Sequence, residues 1–157
     1  MAEKHRRQDL KEVVHMALTD TEKFLFSFRY AIEHVERILQ QEEDLRERMI
    51  SLHSVDLSAV KGYASGCRTD KMADYAAKLD DLQRTELEAR IKALDAFCTV
   101  NAVIEQIQDS SMRELVTLRY LKGDRWQTVA ECMKLSQPHA YDLRSKALAA
   151  AGDILAG

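Results

Sequence analysis

The sequence is short of the residues that interrupt regular structure. Its 157 residues include one proline, Pro138, and five glycines. That excludes collagen-like, proline-rich and turn-dense β architectures. Neither sign of charge dominates: 23 Lys and Arg against 26 Asp and Glu leave a net charge of −3. Bulk charge therefore points to neither nucleic acid nor membrane. No apolar run approaches the roughly 18 residues of a membrane helix. The start, Met1-Ala2-Glu3-Lys4-His5-Arg6-Arg7, is charged where a secretory signal would be apolar. The expectation is a cytoplasmic protein with no membrane partner. The three cysteines, Cys67, Cys98 and Cys132, are far apart and odd in number. They read as reduced thiols, Cys98 and Cys132 as small buried hydrophobes, and their spacing offers no metal site.

The sequence does have apolar residues, 46%, mixed with 31% charged ones. This is the balance of a folded, soluble chain, long enough to bury about two-thirds of its extended surface.

Periodicity predicts an all-α protein in three parts. Residues 1–19 form an amphipathic arm, with Leu10, Val13, Val14 and Ala17 at helical spacing. Thr19 or Asp20 is the expected N-cap of the next helix, with Glu22 in the first turn. Residues 20–108 form a long antiparallel, coiled-coil-like hairpin. Its first helix carries Phe24, Phe28, Ala31, Val35, Ile38, Glu42, Leu45, Met49 and Leu52 at alternating spacings of four and three. A helix of about 33 residues, about 50 Å long, cannot bury such a stripe alone. The Ser- and Gly-containing segment 54–69 reads as the loop. The return helix, 70–108, repeats the rhythm in Met72, Tyr75, Leu79, Leu82, Glu86, Ala89, Ala93, Ala96, Val100, Val103 and Ile107. Beside it runs a second stripe, Leu87, Ile91, Leu94 and Cys98. It is to be covered by the N-terminal arm or by another subunit. Glu42 and Glu86 interrupt the seams, either snorkelling outward or acting as polar register pins.

Residues 109–157 read as three short helices. Ser111 and Glu114 form a capping-box pattern before a helix at Met112–Leu121, and Gly123 suits its C-terminus. A helix at Trp126–Met133 comes next. Lys134-Leu135 turn tightly, and Ser136 caps a last helix with Pro138 in its first turn. The Ala-rich tail extends that helix to Ala151, and Gly152 weakens it. Val129, Ala130, Met133, Leu135, Ala140, Leu143 and Ala147 are the expected inward residues. Two helices joined by such a turn make a helix-turn-helix, with a free face on the last helix for a DNA major groove. Trp126 and Tyr120 are read as core, with the Tyr120 hydroxyl at the rim.

The run from Leu118-Arg119-Tyr120 through Gly123, Trp126, Ala130, Met133, Leu135-Ser136, Ala140 and Leu143 to Ala147-Leu148 resembles region 4 of sigma-70-type factors. More closely, it resembles small phage transcriptional regulators of the RinA and ArpU type. The matching offsets cover residues 113–148. Met133 stands where leucine is usual, and no aromatic-rich promoter-melting helix lies upstream. The resemblance implies a DNA-binding regulator, with RNA polymerase as a further partner, and not a complete initiation factor.

Helical projection turns Pro138, Tyr141, Asp142 and Ser145 outward, flanked by Gln137, His139, Arg144 and Lys146. Gln137 is placed to read adenine and Tyr141 a thymine methyl or a phosphate. Asp142 is placed to accept from a cytosine amino group. Arg144, Lys146, Arg125 and Lys134 are candidate phosphate contacts, with the amides of Gln137 and His139 as a helix-start anion site. Residues 109–157 hold seven basic and six acidic side chains, so a single copy is expected to bind DNA weakly.

No catalytic signature is present. Gly62 to Gly66 lacks the Lys-Ser/Thr of a phosphate loop, and there is no nucleophile elbow or H-E-x-x-H. The expectation is a protein that is not an enzyme, needs no cofactor, and binds double-stranded DNA as a homo-oligomer built through the hairpin. The other readings are a phage DNA-packaging or assembly adaptor, and a module that meets only protein.

Overall fold

The computed structural model describes residues 19–58 and 65–157. It is all-α, with no strand among the described residues. Helix α1 spans Asp20–Ser58, α2 Ser65–Gln106, α3 Ser110–Val116, α4 Trp126–Met133 and α5 Gln137–Ala156. A π-helical stretch, Thr117–Leu121, continues α3. The arm expected at residues 1–18 lies outside the described residues. Among the described residues no helix is long and apolar enough to cross a membrane.

Helix α1 contains no glycine or proline. Thr19 caps it, its Oγ1 accepting the amide of Glu22 at 3.3 Å. Pairs four residues apart, such as Gln40 with Asp44 and Arg84 with Asp80, line the outer faces of α1 and α2. Both helices run into the segment expected as a loop at 54–69, which leaves only 59–64 between them. Ser54 can stay helical because its Oγ donates to the Ser51 carbonyl at 3.0 Å.

The described chain divides into two compact units, residues 31–94 and residues 19–30 with 95–157. This division cuts across the boundary expected at 108–109. In the first unit the seams of α1 and α2 meet. Val35, Ile38, Ala89 and Ala93 are buried together, with Ala31, Ile32 and Leu82 packed against them. Glu42 lies on the seam and is 2% exposed, so it does not snorkel. Arg46 Nη2 reaches one of its carboxylate oxygens at 2.9 Å, while Oε1 has no partner. Glu86 is half-buried and paired to Arg90. The second stripe is uncovered among the described residues: Leu87, Ile91 and Leu94 are more than half exposed. Cys98 belongs to that stripe and is exposed, as is Cys132 on the outer side of α4, so both depart from the burial expected of them.

In the second unit Leu25, Val100, Val103, Ile104 and Ile107 share one core with Leu115, Val116, Leu118, Tyr120, Val129, Ala147 and Ala151. Each fully buried aliphatic side chain there contributes about 1.5–3 kcal/mol. Asp109, not Ser111, caps α3, accepting the Met112 amide at 2.9 Å. Its carboxylate also answers the positive end of the helix. The expected capping box does not form. Gly123 comes after the π-helical stretch at φ +81°, a conformation that glycine adopts without steric strain. Gly152 does not end α5, which runs on to Ala156. A Cβ there would lie 3.2 Å from Thr21 Oγ1, so the missing side chain lets α5 approach the first turn of α1 closely.

Gly123→Ala is expected to cost about 1–2 kcal/mol, from the left-handed backbone alone. An added Cβ would also stand 2.7 Å from Arg29 Nε. An unchanged midpoint in thermal unfolding contradicts this. Glu42→Leu is expected to leave stability equal or higher by about 1–3 kcal/mol, because it removes a desolvated carboxylate from an apolar seam. A fall in the urea midpoint would show that Glu42 contributes net stability.

Candidate nucleic-acid interface

The candidate interface starts at a turn. Helix α4 ends at Lys134, whose backbone is left-handed at φ 55° and ψ 41°. The Lys134 amide bonds back to the carbonyls of Ala130 and Glu131, and the Leu135 amide to Ala130 at 2.9 Å. These bonds satisfy the last carbonyls of α4 and end it in a tight turn before α5 begins at Gln137. Ser136 then caps α5, its Oγ accepting the His139 amide at 3.4 Å, with Pro138 in the first turn. That amide is therefore occupied, and the helix-start anion site loses one of its two expected donors.

Helix α5 packs against α3 and α4. The inward residues are largely those expected: Val129, Ala130, Ala140 and Ala147 are buried, and Met133, Leu135 and Leu143 are half-buried. Leu135 plugs the turn only partly. Outward along α5 lie Gln137, Pro138, His139, Tyr141, Asp142, Ser145 and Lys146, all exposed. Arg125, at the N-cap of α4, and Lys134, at the turn, are both exposed. Lys146 pairs with Asp142 at 3.1 Å, and Ser145 Oγ donates to the Tyr141 carbonyl at 3.2 Å.

Arg144 behaves differently from its neighbours. Its Nη2 donates to Glu22 Oε1 at 2.5 Å, and the Tyr120 hydroxyl donates to the same oxygen at 3.0 Å. Glu22 is almost wholly buried and Tyr120 completely so, which places the Tyr120 hydroxyl in the core and not at the rim. A buried carboxylate needs partners of this kind, since an unpaired one would be strongly destabilising. Burial, then the charge and hydrogen bond of Glu22, push the Tyr120 phenol well above its usual pKa, with Arg144 offsetting part of the shift. Burial alone would lower the pKa of Arg144. The hydrogen bond and charge of Glu22, with help from Tyr120, outweigh it and raise the pKa.

Aromatic rings extend this network. The guanidinium of Arg144 lies 5.5 Å from the centre of the Trp126 ring, and that of Arg119 lies 5.3 Å from it. Arg119 also stacks on Phe26 at 5.2 Å, and Phe26 meets Tyr120 edge-on at 4.7 Å. Tyr141 touches Trp126 from the outer side, ring centres 5.8 Å apart. Trp126 is half-buried, a bridge between the core and the outer face of α5.

Sequence reasoning placed the outward face but missed Glu22 and the commitment of Arg144. One clue was available: a core tyrosine requires a partner for its hydroxyl. Nothing local identified that partner, because Glu22 and Tyr120 are 98 residues apart. Among the described residues no group of three or more His, Cys, Asp or Glu is placed to hold a metal ion.

The raised phenol pKa ties the stability of the fold to alkaline pH. Neutral Tyr120 stabilises the fold fully below its unfolded pKa of about 10. That contribution is lost as pH rises through the higher folded value, at up to about 1.4 kcal/mol per pH unit. Tyr120→Phe is expected to cost about 1–2 kcal/mol at neutral pH. It should also flatten the alkaline slope in urea unfolding. A variant as stable as the native chain, with the slope intact, contradicts the network. Comparison of the chain with protein-family models, with curated proteins and with solved structures finds no match.

Proposed function

We propose that the protein is a DNA-binding transcriptional regulator of the phage type. In this reading α4 and α5 form a helix-turn-helix, α5 enters the major groove, and α1 with α2 forms a hairpin for oligomerisation or for contact with polymerase. The observation that carries it is the tight left-handed turn at Lys134, with small buried residues on the inner side of α5 and an unobstructed outer side. A helix supported from behind and bare in front is what groove entry requires. Gln137, at the start of α5, is the base-reading candidate, with Pro138, His139, Tyr141, Asp142 and Ser145 beside it. Arg125 and Lys134 take the phosphate role. Arg144 positions Trp126 and α5 and is not counted among the phosphate contacts, because Glu22 already holds it. The protein has no enzymatic role in this reading.

One observation favours a second reading, an interaction module that meets only protein. Asp142 neutralises Lys146 and Glu22 neutralises Arg144, so the middle of the face has little free positive charge. Salt dependence separates the two readings. Fluorescence anisotropy with phage promoter-proximal duplexes should show binding that weakens as salt rises. Lys134→Ala should weaken binding to all duplexes alike and reduce the salt slope by about one. Gln137→Ala should cost about 1–3 kcal/mol on the preferred sequence only. Absence of any salt-dependent binding would overturn the DNA reading in favour of the second.

A further inference from the structure

The outer side of α2 carries four side chains with no cover among the described residues. Leu87, Ile91 and Leu94 are 61%, 61% and 64% exposed, and Cys98 is exposed one turn further along. Their spacings of four, three and four follow the a and d positions of a coiled coil. At 100° per residue they lie on the side of α2 opposite Leu82, Ala89 and Ala93, so the partner that buries those residues cannot also cover this stripe. We propose that the stripe is a dimer seam, along which α2 of one copy pairs with α2 of a second copy, parallel and in register, with Cys98 facing its counterpart.

Flanking charge decides the orientation. With Ile91 and Cys98 at a positions and Leu87 and Leu94 at d positions, Arg90 falls at g, and Glu88 and Asp95 fall at e. In a parallel pair each g residue meets the e residue five places on in the other helix, so Arg90 meets Asp95 twice. In an antiparallel pair g meets g and e meets e. Arg90 would then face Arg90, and Glu88 would face Asp95, like charges in both cases. Arg90 already holds Glu86 on its own helix, and its five donors leave room for a second carboxylate. Arg84, at the preceding a position, is neutralised by Asp80 and Asp81. It therefore brings little repulsion against its counterpart.

Arg84 and Asn101 close the apolar stretch at about two heptads. A seam this short covers less than the ~800 Å² per partner of a standard interface, so the dimer should dissociate in the micromolar range. The seam gives register and orientation to the oligomerisation part of the proposed function. It rests on the geometry of α2 alone and stands or falls without any DNA.

Sedimentation equilibrium of the full chain, from sub-micromolar to several hundred micromolar, tests it. The expected result is a monomer–dimer equilibrium that disappears in Ile91→Glu and Leu94→Glu, with the helical circular dichroism unchanged. Mild oxidation should link the native chain into a dimer. Cys98→Ser should abolish that link, and the double variant Cys67→Ser, Cys132→Ser should retain it. Asp95→Arg should weaken the dimer about tenfold if the helices are parallel, and exchanging the charges in Arg90→Asp, Asp95→Arg should restore it. Strengthening by Asp95→Arg would mean antiparallel helices and overturn the proposal. A native chain that stays monomeric throughout would also overturn it. So would a chain that dimerises only after residues 2–18 are deleted, since the arm would then be the occupant of the stripe.

Discussion

One buried carboxylate governs the unit formed by residues 19–30 and 95–157. Glu22 enters the core from the first turn of α1, where a charge without partners would be strongly destabilising. It is tolerated because Tyr120 and Arg144 reach the same oxygen from two other segments. The requirement acts in both directions. The phenol and the guanidinium are themselves desolvated, and each depends on the carboxylate for its partner. Three parts of the chain are thus held to one relative placement by direction-dependent bonds. The apolar contacts around them, among Leu25, Ile107, Leu115 and Val129, supply the larger share of the burial energy but less of the orientation.

The same network shapes the outer face of α5. Arg144 stands in the sequence among residues that projection turns outward, and its charge would suit an anionic partner. Held by Glu22 and stacked on Trp126, it instead supports the helix from which Gln137 and Tyr141 project. Exposed positive charge is left at the edges, on Arg125 and Lys134. A groove-binding protein arranged in this way would draw specificity from the middle of the helix and affinity from its flanks.

Most of the helical layout was readable from periodicity. The seam residues Val35, Ile38, Ala89 and Ala93 recur at spacings that only a helix places on one face, and they are buried together. The end of α4 at Met133, the cap at Ser136 and the tolerance of Pro138 in a first turn obey local rules of capping and backbone geometry. The features that were not readable depend on partners distant in sequence. Glu22 is a solvated first-turn acid by every local rule. Cys98 and Cys132 are apolar enough to be buried, yet they fall on the outer sides of their helices. Gly152 resembles a helix terminator until Thr21 is known to lie against it. The segment at 54–69 has the composition of a loop, and composition underestimates how far a long helix can propagate once nucleated.

The π-helical stretch Thr117–Leu121 has a consequence of its own. Such a stretch holds one residue more than a regular α-helix needs to cover the same rise. The surplus sets the phase with which Arg119 and Tyr120 leave α3, one toward the Trp126 ring and the other toward Glu22. Losing a single residue in these five would rewind the segment and swing the following side chains by about 100°. A one-residue deletion here therefore differs in kind from a substitution. It would preserve helicity and composition while misdirecting both side chains, so related chains that share this network would be expected to conserve the length of the segment more strictly than its letters.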